Sequence, residues 1–300
     1  MQKLLIFTLV GFFAQLIDGS LGMAFGATSS SLLLMFGVAP AVVSATIHIS
    51  EVATTAASGV SHWKFGNVDK SLMVRLAIPG AITAFIGAAL LSNIHGEMIK
   101  PFISIFLLAM GIYILYRFLF KMDVNQQGGR QKISSVFLLP LAAISGFLDS
   151  IGGGGWGPIN TPLLLSKKGI NPRVVIGTVS TSEFAITLSA SIGFLLFLGW
   201  EAINWLWVGA FALGGVFAAP IAAWLVKVLP LHLLGAIVGG LIILTNTNIL
   251  LQYFVSNETM THIVFFCLFI GWISLIIYAK YRNGKHGEER KEQEVSLMEK

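Results

Sequence analysis

Across 300 residues, 55% of the side chains are hydrophobic, only 11% are charged and the mean hydropathy is +0.82, which excludes an ordinary soluble globular domain. The net charge of +5 does not point to nucleic acid, because the Lys and Arg residues sit in short loops and in the tail from Lys280 onward, with no basic groove or interleaved aromatics. The lone Cys267 excludes an intrachain disulfide and offers no metal cluster, and no cofactor is expected.

Apolar stretches of roughly 20 residues recur along nearly the whole chain, the signature of an all-α membrane protein and not of a barrel built from short alternating strands. The first stretch, Leu4 to Phe36, is too long for one span and too short for two, and Asp18-Gly19-Ser20-Leu21-Gly22 interrupts it. Leu4 to Ala14 after Lys3 has the look of a signal-peptide core, but the polar break behind it has a counterpart near Asp149, which makes it part of a repeat. Three full spans follow, Pro40 to Val60, Ser71 to Leu91 and Met98 to Phe120, and then a polar linker from Lys121 to Lys132. Ile133 to Ser166 is a second interrupted stretch, broken by Asp149-Ser150-Ile151 and Gly152 to Gly155. Four further spans are expected at Arg173 to Leu198, Trp205 to Val228, Leu231 to Val255 and Thr261 to Tyr281, ahead of a charged tail from Asn283 to Lys300 that is expected to be disordered or loosely helical.

The chain is a duplication. Gly37, Pro40, Thr46, Ser50 and Glu51 align with Gly169, Pro172, Thr178, Ser182 and Glu183 at one constant offset of 132 residues (169 − 37, 183 − 51). The expected organisation is a first repeat over 1–120, a cytoplasmic linker over 121–132, a second repeat over 133–255, an extra span within 256–282 and a cytoplasmic tail over 283–300. Irregular backbone at membrane depth survives only where it lines a cavity or is buried in protein, so both interrupted stretches read as hairpins of two half-helices or as otherwise broken helices; the placement of positive charge favours the hairpins. In that topology every basic cluster lies in the cytoplasm: Lys64 with Lys70, Lys121 to Lys132, Lys167 to Arg173, Lys227 and the tail. The outward loops Gly199 to Asn204 and Ser256 to Met260 then carry no Lys or Arg. The N-terminus with Lys3 falls outside, and three full spans in the first half invert the second, giving inverted repeats in a multi-pass protein of the cytoplasmic membrane.

Two constellations could carry chemistry. Each half-helix that restarts after a break exposes unpaired N–H groups at a positive dipole end, so Gly22 to Ser30 and Gly153 to Thr161 could bind an anion without any Lys or Arg. Candidate substrate contacts there are Gly22, Gly153, Gly154 and Gly155, with Thr28, Ser29, Ser30, Asn160 and Thr161 as side-chain donors and Trp156 as a cavity wall; close helix packing is the alternative role for the glycines. Asp18 and Asp149 at the apices would cap the restarting helices or gate ions. The second constellation is the pair of polar helices around Glu51 and Glu183. A carboxylate in hydrocarbon is costly, so matched intramembrane glutamates mark a functional site, with Thr46, Ser50, Thr178 and Ser182 beside them for substrate and with Glu51, Glu183 and His48 as candidate proton carriers. A hydrogen-bonded structural role is the alternative for each Glu.

The motifs GFFAQLIDGSLGMAFGATSSSLLL from Gly11 and GFLDSIGGGGWGPINTPLLL from Gly146 resemble the paired signatures of the sulfite exporter TauE/SafE family of bacterial membrane transporters. The first departs from the pattern at Leu21-Gly22-Met23, where more glycine is usual, and at Ser30, set against Pro162 of the second. The resemblance implies a carrier of sulfite, a sulfonate or a related small sulfur-containing anion, with protons as a possible coupling ion. An intramembrane enzyme using His48 with Glu51 or Asp18 is the alternative from another class, and a non-transporting scaffold subunit is a third.

Overall fold

The computed structural model describes residues 2–120, 133–165, 167, 171–225, 231–255 and 257–298. Eleven α-helices make up the described chain, with one 3₁₀ turn at Trp200–Ala202. In the first half they are α1 (Gln2–Leu21), α2 (Phe25–Met35), α3 (Pro40–Lys64), α4 (Lys70–Ser92) and α5 (Gly96–Phe120). The second half supplies α6 (Ser135–Gly152), α7 (Trp156–Leu165), α8 (Pro172–Phe197), α9 (Trp205–Leu225) and α10 (Leu231–Phe254), and α11 (Glu258–Met298) closes the chain.

Local chemistry sets these boundaries. Pro40 and Pro172 each occupy a first helical position, where the missing N–H costs nothing, and the residue before each is extended. Asn171 caps α8 by accepting from Arg173 N at 3.0 Å, and Asp69 caps α4 by accepting from Leu72 N at 3.0 Å. The linker 121–132, the Lys168 part of the Lys167 to Arg173 cluster, the Lys227 turn and Ser256 lie outside the described residues. The tail expected to be disordered or loosely helical continues α11 to Met298.

Among the described residues, eight helices are long and apolar enough to cross a membrane. They include α1 and α6, the first limbs of the two interrupted stretches, and omit α3, because Ser, Thr, His and Glu dilute its apolar content over 25 residues. Each interrupted stretch is therefore a full-length helix joined to a short one, α2 with 11 residues and α7 with 10, and not two equal halves. The breaks also fall later than the sequence suggests. Asp18 to Leu21 and Asp149 to Gly152 remain helical, and the turns lie at Gly22 to Ala24 and Gly153 to Gly155. Each helix ends at a glycine in the left-handed region, Gly22 at φ 69° and Gly153 at φ 68°, a conformation that glycine adopts at little cost.

The duplication extends to packing. Helix α1 lies against α9 as α6 lies against α4, α3 meets α9 as α8 meets α4, and α5 with α10 and α3 with α8 join corresponding helices directly. Helix α11 packs on α10 at the periphery. The outer surface is apolar, with Ile78, Ile82 and Ile86 repeating along one exposed face of α4, whereas the polar side chains of α3 and α8 are turned inward.

Candidate functional site

The site grows from one helix stripe. Ser44, His48, Glu51, Thr55, Ser58 and His62 recur at alternating spacings of four and three, which places them on a single face of α3, and all six are buried. Ser180, Glu183 and Thr187 form the corresponding stripe on α8. The two faces meet: Thr55 Oγ1 lies 3.3 Å from Thr187 Oγ1 and Ser58 Oγ lies 2.8 Å from Ser180 Oγ. As the number rises on α3 it falls on α8, so the helices run antiparallel there. Thr55 and Thr187 are equivalent at the offset of 132, and each stands one turn beyond its glutamate. Glu51 and Glu183 are thereby brought to one buried interface, 3% and 7% exposed, and turned away from lipid. Asp18, Asp149 and Glu51 all lie within electrostatic range of Glu183, so four carboxyl groups converge. No metal cluster of His, Cys, Asp or Glu occurs among the described residues.

The breaks form the other wall. Asp149, in the last turn of α6, reaches forward so that Oδ1 accepts from Gly155 N at 2.7 Å and Trp156 N at 2.8 Å, satisfying the start of α7. Asp18 repeats the gesture more loosely toward Phe25 N at 3.5 Å. These seven-residue reaches correspond at an offset of 131 (149 − 18), one less than in the helices that follow, so Ser30 matches Thr161 and not Pro162. That register is visible in a reciprocal exchange. Ser30 Oγ donates to Gly153 O at 2.9 Å, and Thr161 Oγ1 donates to Gly22 O at 2.6 Å. Each break therefore has its exposed carbonyl satisfied by the short helix of the other half. Ser30→Ala and Thr161→Val should each lower stability by about 1–3 kcal/mol, the cost of a buried acceptor left unpaired, measured as a drop in thermal midpoint.

The remaining predicted residues divide into engaged and unengaged groups. Ser50 Oγ donates to Thr46 O, Ser182 Oγ donates to Val179 O, and Thr178 Oγ1 accepts from Asp69 N at 2.9 Å, which ties it to the α3–α4 loop. Trp156 is fully buried, with Nε1 donating to Val179 O at 3.2 Å, while Trp63 and Trp200 are exposed near helix ends as membrane anchors are. In contrast, the hydroxyls of Thr28, Ser29 and Thr46 and the Asn160 Oδ1 are buried with no hydrogen-bond partner among the described residues. Gln15 and Asn246, not singled out from sequence, share this property at both side-chain amide atoms and at Oδ1 respectively. A polar residue facing inward from an otherwise apolar span was the available signal for both.

His48 is held from two sides. Its Nδ1 lies 2.8 Å from Ser44 O and its Nε2 lies 3.1 Å from Asp149 Oδ2. Ser44 Oγ in turn donates to Ser150 O at 2.6 Å, so one turn of α3 is fastened to the end of α6.

Residues 7–249 match the family model described as Sulfite exporter TauE/SafE. A curated relative from Bacillus subtilis (strain 168), "Probable membrane transporter protein YtnM", is 50% identical over 300 residues, the whole of both chains. No solved structure matches the chain.

Proposed function

The chain belongs to the sulfite exporter TauE/SafE family, and from that premise we propose that it carries a small sulfur-containing anion, sulfite or a sulfonate, across the cytoplasmic membrane together with protons. It is a multi-pass membrane transporter, and the alternatives of an intramembrane enzyme or a scaffold are not favoured. The observation that carries the coupled reading is the convergence of Glu51 and Glu183, with Asp18 and Asp149, at a buried interface between equivalent helices. The antiparallel meeting of α3 with α8 supports halves of opposite orientation, as expected of transporters that alternate access about a central site. Extending the same reading, repeat one occupies 1–120, the linker 121–132 faces the cytoplasm, repeat two occupies 133–255, and the span within 256–282 delivers the tail 283–300 to the cytoplasm.

In this proposal the solute lies beside the two breaks. Buried polar atoms without protein partners carry a desolvation cost that a bound solute removes, and the hydroxyls of Thr28, Ser29 and Thr46 supply donors on α2 and α3, while Asn160 Oδ1 on α7 can accept only from a protonated oxygen of the solute. Gly22, Gly153, Gly154 and Gly155 let backbone approach closely, and Trp156 walls the site. Purified protein in proteoliposomes should accumulate radiolabelled sulfite or an organosulfonate, and an imposed pH gradient should change the rate. Folded protein that moves none of these anions, with or without a gradient, would defeat the proposal.

A further inference from the structure

His48 and Asp149 meet at the seam between α3 of the first half and the α6–α7 break of the second, beside the proposed anion site. Hydrogen-bond bookkeeping fixes the protons there. Ser44 Oγ has one proton and donates it to Ser150 O, and Ser44 O is a carbonyl that can only accept. The Nδ1 of His48, 2.8 Å from that carbonyl, must therefore carry a hydrogen and donate it. On the opposite side, Oδ1 of Asp149 already accepts two backbone N–H groups, which leaves Oδ2 to face Nε2 at 3.1 Å. An unprotonated Nε2 and an ionised Oδ2 are both acceptors, and the pair is buried on both sides. A proton has to lie between them, on the imidazole or on the carboxyl.

We propose that His48 and Asp149 hold one shared proton between Nε2 and Oδ2, and that this bridge is a proton-binding site of the transport cycle. The second half of the statement rests on the function proposed above; the first does not. Two features make the site suited to that task. Removing the proton sets two acceptors against each other, loosening the tie between α3 and the α6–α7 break, so proton occupancy is written into the contact between the halves. The same Asp149 side chain also satisfies the start of α7, so a change at Oδ2 reaches the restarting helix through one carboxyl group.

His62 supplies an internal contrast. It lies on the same stripe of α3, but Asn67 Nδ2 donates to its Nδ1 at 3.3 Å and its Nε2 donates to Gly19 O at 3.1 Å, which satisfies a neutral ring with no carboxylate partner. The titratable groups facing the His48–Asp149 pair are Glu51 one turn along α3, Glu183 from α8 and Asp18 from α1. Helices α2 and α9, also packed on α3, bring none.

Nitrogen-15 NMR of histidine-labelled full-length protein in lipid nanodiscs tests the shared proton, with His48→Gln identifying the signal. Protonated Nδ1 is expected at His48, with an Nε2 chemical shift that moves when Asp149→Asn is introduced. An unprotonated Nδ1, or an Nε2 signal indifferent to Asp149→Asn, would overturn the proposal. Sulfite flux into proteoliposomes tests the link to transport. One coupled proton gives about a tenfold accumulation ratio per pH unit, and Asp149→Asn or His48→Gln should bring that ratio toward one relative to each variant's own flux without a gradient. Undiminished gradient stimulation in both variants rejects the link even if the proton is shared. A wild type that moves no sulfite or sulfonate overturns the link together with the transport reading, and the NMR result then decides the proton alone. His48→Gln serves if Asp149→Asn fails to fold, since Gln still donates to Oδ2 and holds no exchangeable ring proton.

Discussion

Glu183→Gln and Glu51→Gln proteins should still reach the membrane folded, yet lose the response of anion flux to a pH gradient. Gln matches Glu in shape and keeps a carbonyl oxygen, so the packing of α3 on α8 is preserved, while the exchangeable proton is gone. The expected size follows from linkage: each proton moved with an anion supports about a tenfold accumulation ratio per pH unit, which should fall to about one in a variant that carries no proton. Electrostatics gives the sign. Two unit charges 4 Å apart repel by about 4 kcal/mol at an effective dielectric of 20, so several ionised carboxylates and a bound anion cannot share the interface among Asp18, Glu51, Asp149 and Glu183 without help. Protons would relieve the repulsion that an anion raises, so under the proposed coupling proton and anion are expected to move in the same direction. Anion uptake measured in proteoliposomes with an inward proton gradient checks this; stimulation that persists in both Gln variants would remove the glutamates from the coupling mechanism.

The duplication and the all-helical, membrane-spanning class were legible because each depends on local composition. Pro40 and Pro172 mark helix starts, each after an extended residue, and Glu51 with Glu183 sits at an unbroken offset. Partner choice was not legible. Nothing in the order of residues reveals that Thr178 would be spent on the Asp69 backbone N–H, or that Ser30 would serve a carbonyl 123 residues away. The one-residue change of register between the breaks and the later helices was hidden because Ser30 and Ser31 are identical side chains, and only the exchange with Gly22 and Gly153 distinguishes them. His48 lacks a counterpart in the second half, where position 180 is Ser, so the repeat could not point to its bridge with Asp149. The glycines show the same division: four in a row announce a break, but only packing tells which of them holds a turn and which lets two backbones touch.

Gly154→Ala should be strongly damaging, because the added methyl meets backbone of the other half. A Cβ at that position would collide with the backbone N and Cα of Ala27 in α2, and at the equivalent pair Gly26 and Gly157 a Cβ would meet the Gly153 carbonyl and the Gly22 carbonyl respectively. A side chain can rotate away from an intruding methyl, but backbone of the opposite break cannot retreat without releasing the Ser30 and Thr161 hydrogen bonds that hold it. The cost should therefore exceed the ~1–3 kcal/mol typical of an overpacked core, seen as a collapse of the folded, monodisperse fraction and a large drop in thermal midpoint in detergent. Gly209 provides the comparison. It lies inside α9 with nothing within 4 Å of an added Cβ, so Gly209→Ala should shift stability by no more than about 1 kcal/mol, in the favourable direction expected for Ala in a helix. If Gly154→Ala proves as mild as Gly209→Ala, the two breaks do not touch, and the shared wall on which the anion site is built does not exist.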